Sequence, residues 1–348
     1  MELSRIEEAL SGIYLTQPRR SITELNLVRG IELSAENVNI KLTLAQMPQP
    51  ESERLQASVR SAIEALDGIK DINIEMVDAR PPEINQFKHV VAIMSGKGGV
   101  GKSLVTALTA ISLKRDGYDV GILDADITGP SIPKMFGIKD RPTGTEWGVL
   151  PIDTASGIEV MSLNLLLPNE DDAVIWRGPL LAKTITQFWE DVLWGKLDYL
   201  LIDMPPGTAD VPLTVLQSLP LSGVIIVSTP QDLANMVVRK AVNMSRKMNI
   251  PILGVIENMS YLVIPETGKK IEVFGKSRGE EMAEVAESPL IGRIPVDPEL
   301  AALCDSGGIE QYQSKAFAPI AHDIIKVLKN ASFPVKKDKQ QIPTHQSL

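Results

Sequence analysis

The stretch Met94-Ser95-Gly96-Lys97-Gly98-Gly99-Val100-Gly101-Lys102-Ser103 decides how the rest of the chain is read. An apolar run over 89–95 leads into it, and Leu104, Val105, Leu108, Ile111, Ser112 and Leu113 follow at helical spacing. G-x-x-x-x-G-K-[ST] between a strand and a helix is a phosphate loop. Glycines let the backbone wrap a phosphate chain with its N–H groups inward, and the helix behind adds its positive end. Gly96, Lys97, Gly98, Gly99, Val100, Gly101, Lys102 and Ser103 are therefore the expected nucleotide cradle. Lys102 is expected to reach the terminal phosphates, and the Ser103 hydroxyl to ligate magnesium. Lys97 admits two readings: a solvated loop lysine, or a second cation aimed at the nucleotide of a facing subunit.

Working outward, short apolar runs recur at 119–123, 158–163, 199–203, 223–228, 252–257 and 289–294, with longer helical stretches between them. Strands buried on both faces look like this, and helices between them make a mostly parallel, doubly wound α/β sheet. Such sheets bind ligands beyond the carboxyl ends of their strands. The second run ends in Asp124-Ala125-Asp126 and the fourth in Asp203-Met204-Pro205-Pro206-Gly207. Asp203 suits a magnesium partner, directly or through water. Asp126 suits the orientation or deprotonation of an attacking water. Carboxylates in such places also serve as ordinary helix and turn caps. Asn258, after the sixth run, offers a donor and an acceptor that match an adenine edge.

Residues 1–80 read as a separate small α+β unit in the order α, β, β, α, β. Val28–Leu33 and Val38–Leu44 alternate with a period near two, and Leu55, Val59, Ala62, Ile63 and Leu66 have helical spacing. Residues 81–87, with Pro81 and Pro82, read as a stiff linker. The large domain is expected over 88–330 and a fraying tail over 331–348.

The 348 residues suggest roughly two domains, and 44% hydrophobic content is enough for a core. A net charge of −9 with 4% aromatics argues against nucleic acid. No apolar stretch is long enough to cross a bilayer, and the acidic start does not read as a secretion signal, so a cytoplasmic location is expected. The single cysteine, Cys304, excludes an intrachain disulfide and a Cys-x-x-Cys site.

Lys97 within this loop resembles the deviant phosphate loop of the ParA/MinD-like ATPases. Further strings resemble the Mrp-type (ApbC-like) branch: 123–133 (Leu123-Asp124-Ala125-Asp126 onward), Trp176-Arg177-Gly178-Pro179, Asp203 to Thr208, Thr229-Pro230-Gln231-Asp232 and Gly254 to Ser260. The first 80 residues resemble the small domain, itself associated with iron-sulfur cluster assembly, that precedes this ATPase in many members. The resemblance implies a homodimeric ATPase with ATP sandwiched between subunits and Lys97 reaching across. It places Asp126 near the attacking water, Asp203 near magnesium and Asn258 on adenine. It also implies an iron-sulfur cluster carried between two subunits and passed to apoprotein clients.

The sequence departs from the family pattern where the cluster is held. The Cys-x-x-Cys positions are Ile264 and Thr267, Met47-Pro48 replaces a Cys-Pro of the small domain, Gln17-Pro18 replaces an Asp-Pro, and Leu104 replaces a threonine. Two readings follow: an ATPase of the cluster-carrier group, or an ATP-switched interaction module that has abandoned metal. Surface positioning on DNA or membrane would want a basic face or an amphipathic terminus. A small-molecule kinase shares the phosphate loop and differs in its product.

Overall fold

The structure is a computed structural model describing residues 3–15, 20–34, 37–43, 49–126, 129, 131–145, 148–166, 178–208, 210–231, 234–315 and 317–331. It divides into two compact units.

The first unit holds residues 1–86 together with 142–151 and 187–197. Its elements are α1 (Leu3–Ser11), β1 (Val28–Ser34), β2 (Asn37–Thr43), α2 (Gln49–Glu64), β3 (Asp71–Val77) and α3 (Pro81–Ile84). β2 is the central strand, antiparallel to β1 and parallel to β3. Val38, Ile40 and Leu42 alternate along it and are buried, as a half-buried strand requires. Leu55, Val59 and Ile63, one helical turn apart, bury the facing stripe of α2.

Residues 81–87 do more than the expected linker. Prolines suit the first turn of a helix, where the N–H has no acceptor, and Pro81 and Ile84 are buried in α3. The next residue, Asn85, ties in the segment 192–195: its Oδ1 accepts from the N–H groups of Trp194 (2.8 Å) and Gly195 (3.0 Å), and its Nδ2 donates to Val192 O (2.8 Å). Gly195 has φ +73°, and a Cβ there would sit 2.2 Å from Glu24 O. Leu150 and Leu193, remote in sequence, complete the core of this unit.

The second unit carries an eight-stranded sheet. Its strands are β4 (Gln86–Met94), β5 (Val120–Asp124), β6 (Ile152–Asp153), β7 (Glu159–Ser162), β8 (Lys196–Asp203), β9 (Gly223–Ser228), β10 (Ile252–Glu257) and β11 (Leu290–Arg293). The order is β11-β10-β9-β4-β8-β5-β7-β6. All seven expected runs are in this sheet. The eighth strand, β6, pairs antiparallel at the edge and is two residues long, too short to leave a sequence pattern. Helices α4 (Lys102–Arg115), α5 (Ile132–Met135), α6 (Gly178–Asp191), α7 (Asp210–Ser218), α8 (Ala234–Lys247), α9 (Gly279–Ala286), α10 (Pro298–Ser306) and α11 (Ala318–Asn330) fill the connections. Val105, Leu108, Ile111, Ile320, Ile324 and Leu328 are among the residues packing α4 and α11 into the main core.

Candidate nucleotide site

Met94, Asp124, Asp203, Ser228 and Glu257 are the last residues of β4, β5, β8, β9 and β10. One edge of the sheet therefore collects the ends of neighbouring strands, where open α/β sheets bind ligands. β4 lies between β9 and β8, so the loop that follows it emerges at the middle of that edge.

Residues 96–101 form this loop, with Gly99 at φ +77° and Gly101 at φ +80°. Gly101 precedes the first residue of α4. A Cβ on it would meet Nδ2 of Asn258 at 2.1 Å, so glycine is required both for conformation and for space. The same Nδ2 donates to Val100 O at 2.9 Å, and the Asn258 N–H donates to Ser228 O at 2.8 Å. Lys97 Nζ donates to Oε1 of Gln231.

The first turn of α4 is built on Asp203. Lys102 Nζ donates to its Oδ1 at 2.8 Å, Ser103 Oγ to its Oδ2 at 2.5 Å, and Thr106 Oγ1 lies 2.9 Å from Oδ1. Lys102 is 5% exposed and Asp203 is fully buried. Asp126 Oδ2 is 3.6 Å from the same ammonium. Asp124 accepts from the Asp126 N–H at 3.1 Å and from Ser162 Oγ at 3.0 Å. The structure thus brings Lys102, Ser103, Asp126 and Asp203 together and sets Asn258 against the loop.

Burial raises the carboxyl pKa of Asp203, opposed by the Lys102 charge and by hydrogen bonds from Lys102, Ser103 and Thr106. Asp124 is pushed well above the usual carboxylate range, by burial first and the charge of Asp203 second, with Lys102 opposing. An acidic cluster short of positive charge, with a hydroxyl beside a carboxylate, is a donor set that suits magnesium. Few protein ligands are needed there, because phosphates and water complete the coordination.

The sequence alone points to neither Asp124 nor Thr106 at this site. Thr106 sits one helical turn after Lys102, a spacing that puts both on one face, and this was its available signal. Asp124 ends the same strand that presents Asp126, and that it is the more deeply buried of the two, 1% against 9% exposed, cannot be read from Asp-Ala-Asp.

Ile264 and Thr267 lie on a short hairpin in which Leu262 pairs with Ile271 and Val263 with Lys270. The Ile264 N–H donates to Lys269 O at 2.9 Å, the Gly268 N–H to Ile264 O at 2.8 Å, and Thr267 Oγ1 accepts from the Lys269 N–H at 3.3 Å. Cys304 is partly buried on α10 against the main core, and burial, then Asp305, raises its thiol pKa. Among the described residues no group of three or more His, Cys, Asp or Glu is arranged to hold a metal ion. Gln17-Pro18, Met47-Pro48, residues 127, 128 and 130, Trp176-Arg177, Asp232 and the tail beyond 331 lie outside the described residues.

A doubly wound sheet whose central strand runs into a phosphate loop, with a buried lysine between acidic strand ends, defines a P-loop nucleoside triphosphatase. Residues 86–330 match the family described as NUBPL iron-transfer P-loop NTPase, and residues 3–76 match the one described as iron-sulfur cluster assembly protein. The chain belongs to the first of these, the iron-transfer P-loop NTPases.

The iron-sulfur cluster carrier protein of Deinococcus radiodurans is 41% identical over 304 residues, 86% of this chain and 86% of that one. A solved nucleotide-binding protein of Archaeoglobus fulgidus, in complex with ADP, is 44% identical with a TM-score of 0.61 over 67% of this chain and 91% of its own. The cell division ATPase MinD of Pyrococcus furiosus, 24% identical with a TM-score of 0.51 over 69% of this chain and 99% of its own, shares the fold. Family and fold class agree with the resemblance drawn from the loop and the strings that follow it.

Proposed function

We propose that the chain is a magnesium-dependent ATPase that works as a homodimer, with ATP held between subunits, in iron-sulfur cluster assembly. The observation that carries this reading is the convergence of Lys102, Ser103 and Asp126 on the buried Asp203 behind the glycine loop. The ADP in the Archaeoglobus relative supports it.

The first N–H groups of α4 have no intrahelical acceptor and face the loop, so they and the amides of 98–101 hold phosphate oxygens. Lys102 turns from Asp203 to the terminal phosphates. Water attacks the γ-phosphorus, the bond to the β–γ bridging oxygen breaks, and ADP and inorganic phosphate leave. Asp126 orients that water and takes up its proton directly or passes it to phosphate. Ser103 and Asp203 would hold magnesium, which when bound neutralises charge on the phosphates. Lys97 reaches the partner's nucleotide once it leaves Gln231, and Asn258 contacts the base. Positioning and charge neutralisation supply the catalysis.

The cluster is cargo, and the residues here do not fit it. Ile264 and Thr267 have no thiolate, and a pair of chains contributes only two Cys304 sulfurs where a four-iron cluster takes about four. The chain therefore acts on apoprotein clients or other assembly proteins without ligating a cluster through those positions. Cytoplasmic residence belongs to the same proposal, and no helix among the described residues is long and apolar enough to cross a membrane.

A second reading is an ATP-switched interaction module. It is favoured by Ile271, Val273 and Phe274, which are exposed close in sequence to Ile264 and Thr267. Anaerobic purification followed by iron and sulfide reconstitution, ATP turnover and sedimentation tests both, with Lys102→Ala as control. ATP turnover and a dimer without visible cluster absorption are expected. No ATP binding by the folded chain would overturn the whole reading.

A further inference from the structure

Glu257 is a fully buried carboxylate at the end of β10 that the ATPase chemistry above does not use. Such a group has to be held by hydrogen bonds. Its donors are Ser260 Oγ, Ser277 Oγ at 2.7 Å and the Arg278 N–H at 2.8 Å. These donors are the two feet of one excursion. Ser260 stands where the chain leaves the sheet edge, and Ser277-Arg278 stand where it returns to α9. Between them lie the hairpin with Ile264 and Thr267, and then Val273 and Phe274, which together with Ile271 are 40–50% exposed. The Arg278 side chain pairs with Glu281, so Glu257 grips the backbone and hydroxyls of the excursion.

The adjoining residues face the other way. Asn258 donates to Val100 O inside the phosphate loop, and its Nδ2 occupies the space that a Cβ on Gly101 would take. Met259 follows in the left-handed region at φ +54°, with its Cε 3.8 Å from that Cβ position. A single peptide bond therefore separates the group that rests on the phosphate loop from the group that clamps the excursion. Residues in regular strands absorb displacement poorly because their ladder is fixed: Ile256 and Glu257 pair with Val227 and Ser228 on one side and with Gly292 and Arg293 on the other. With Glu257 fixed in that ladder, motion at Asn258 is passed forward through Met259 to Ser260, one of the donors held by the Glu257 carboxylate, more readily than back into the sheet.

We infer that Glu257 is a positioning residue through which nucleotide at the phosphate loop sets the conformation of the excursion 261–276. This rests on the nucleotide reading of the site and adds its regulation: binding shifts Asn258, Glu257 re-seats Ser260 and Ser277, and the exposed apolar tip changes its presentation.

Hydrogen exchange of the amides of 262–271 tests this in the full chain, with and without magnesium and a non-hydrolysable ATP analogue, beside calorimetric binding of that analogue. In the wild type, nucleotide is expected to change exchange there at least about fivefold. In Glu257→Gln, analogue affinity is expected to stay within about threefold of wild type while the nucleotide-dependent change is lost. A purely structural Glu257 would alter exchange in the absence of nucleotide and leave the nucleotide-dependent difference intact, which overturns the inference. Wild-type protein that binds analogue with no change at 262–271 also overturns it. Absence of binding overturns instead the nucleotide reading beneath it. If Glu257→Gln does not fold, Ser277→Ala removes one foot and is read in the same way.

Discussion

The ammonium of Lys102 donates to Asp203 across 2.8 Å, and both groups are shut away from solvent behind the glycine loop. A buried pair of this kind adds little net stability, yet removing one partner strands the other charge. Without phosphate, Lys102 is the cation that offsets Asp203 and, at longer range, Asp124.

Lys102→Ala is therefore expected to destabilise the nucleotide-free protein by about 3 kcal/mol at neutral pH, as well as to lower ATP turnover by roughly 100-fold or more. Urea titration and phosphate release check the two effects separately. Loss of turnover with unchanged stability would show that the pair is not buried as described.

Asp124 and Asp203 also make stability depend on pH. Both have carboxyl pKa values raised on folding, so the folded state holds the proton more tightly than the unfolded one. Their contribution is complete below the ordinary carboxylate value of about 4. It falls as pH rises from there through the raised values, because the unfolded chain ionises first. Asp124→Asn, which keeps an acceptor for Ser162 and the Asp126 N–H, is expected to flatten that slope in denaturation series from pH 5 to 8. Equal slopes in variant and wild type would remove Asp124 as the cause.

Gly101→Ala places a Cβ on Nδ2 of Asn258 in a left-handed residue. The conformation alone costs about 1–2 kcal/mol, and ATP affinity is expected to fall about tenfold, or about 1.4 kcal/mol. Combining it with Asn258→Ala opens the space but leaves φ unrelieved. Stability should then recover only in part, as a double-variant cycle of thermal melts would report.

Ile264→Cys with Thr267→Cys places two thiols on the hairpin, and the hairpins of a pair of chains then offer the four that a four-iron cluster takes. Reconstitution with iron and sulfide is expected to give visible absorption in this variant and none in the wild type. A coloured wild-type protein with stoichiometric iron would show that the chain ligates a cluster through other residues and would refute the view that it works without one of its own.

The sheet was legible because strands buried on both faces leave uninterrupted apolar runs, as 223–228 and 252–257 do. The antiparallel edge pair at Ile152–Asp153 was not, because two residues carry no period. Lys102, Ser103, Asp126 and Asp203 were expected from the order of strand, loop and helix, and they lie together in the fold. Thr106, Asp124 and Glu257 were not, because an interior hydroxyl or carboxylate is defined by neighbours that only folding brings near. The Pro81-Pro82 pair misled in a specific way: proline stiffens an extended chain and also opens a helix, and burial of Ile84 decided for the helix.

The borrowed lining of the small unit has a consequence for how the chain is divided. Leu150 and Leu193 are wholly or nearly wholly covered in a core otherwise drawn from the first 84 residues, and Asn85 fastens the strip that carries Leu193. Clipping the protein after residue 86 would deprive the liberated amino-terminal fragment of part of its own interior. The remainder would keep both leucines with nothing to cover them, a greasy scar that invites aggregation.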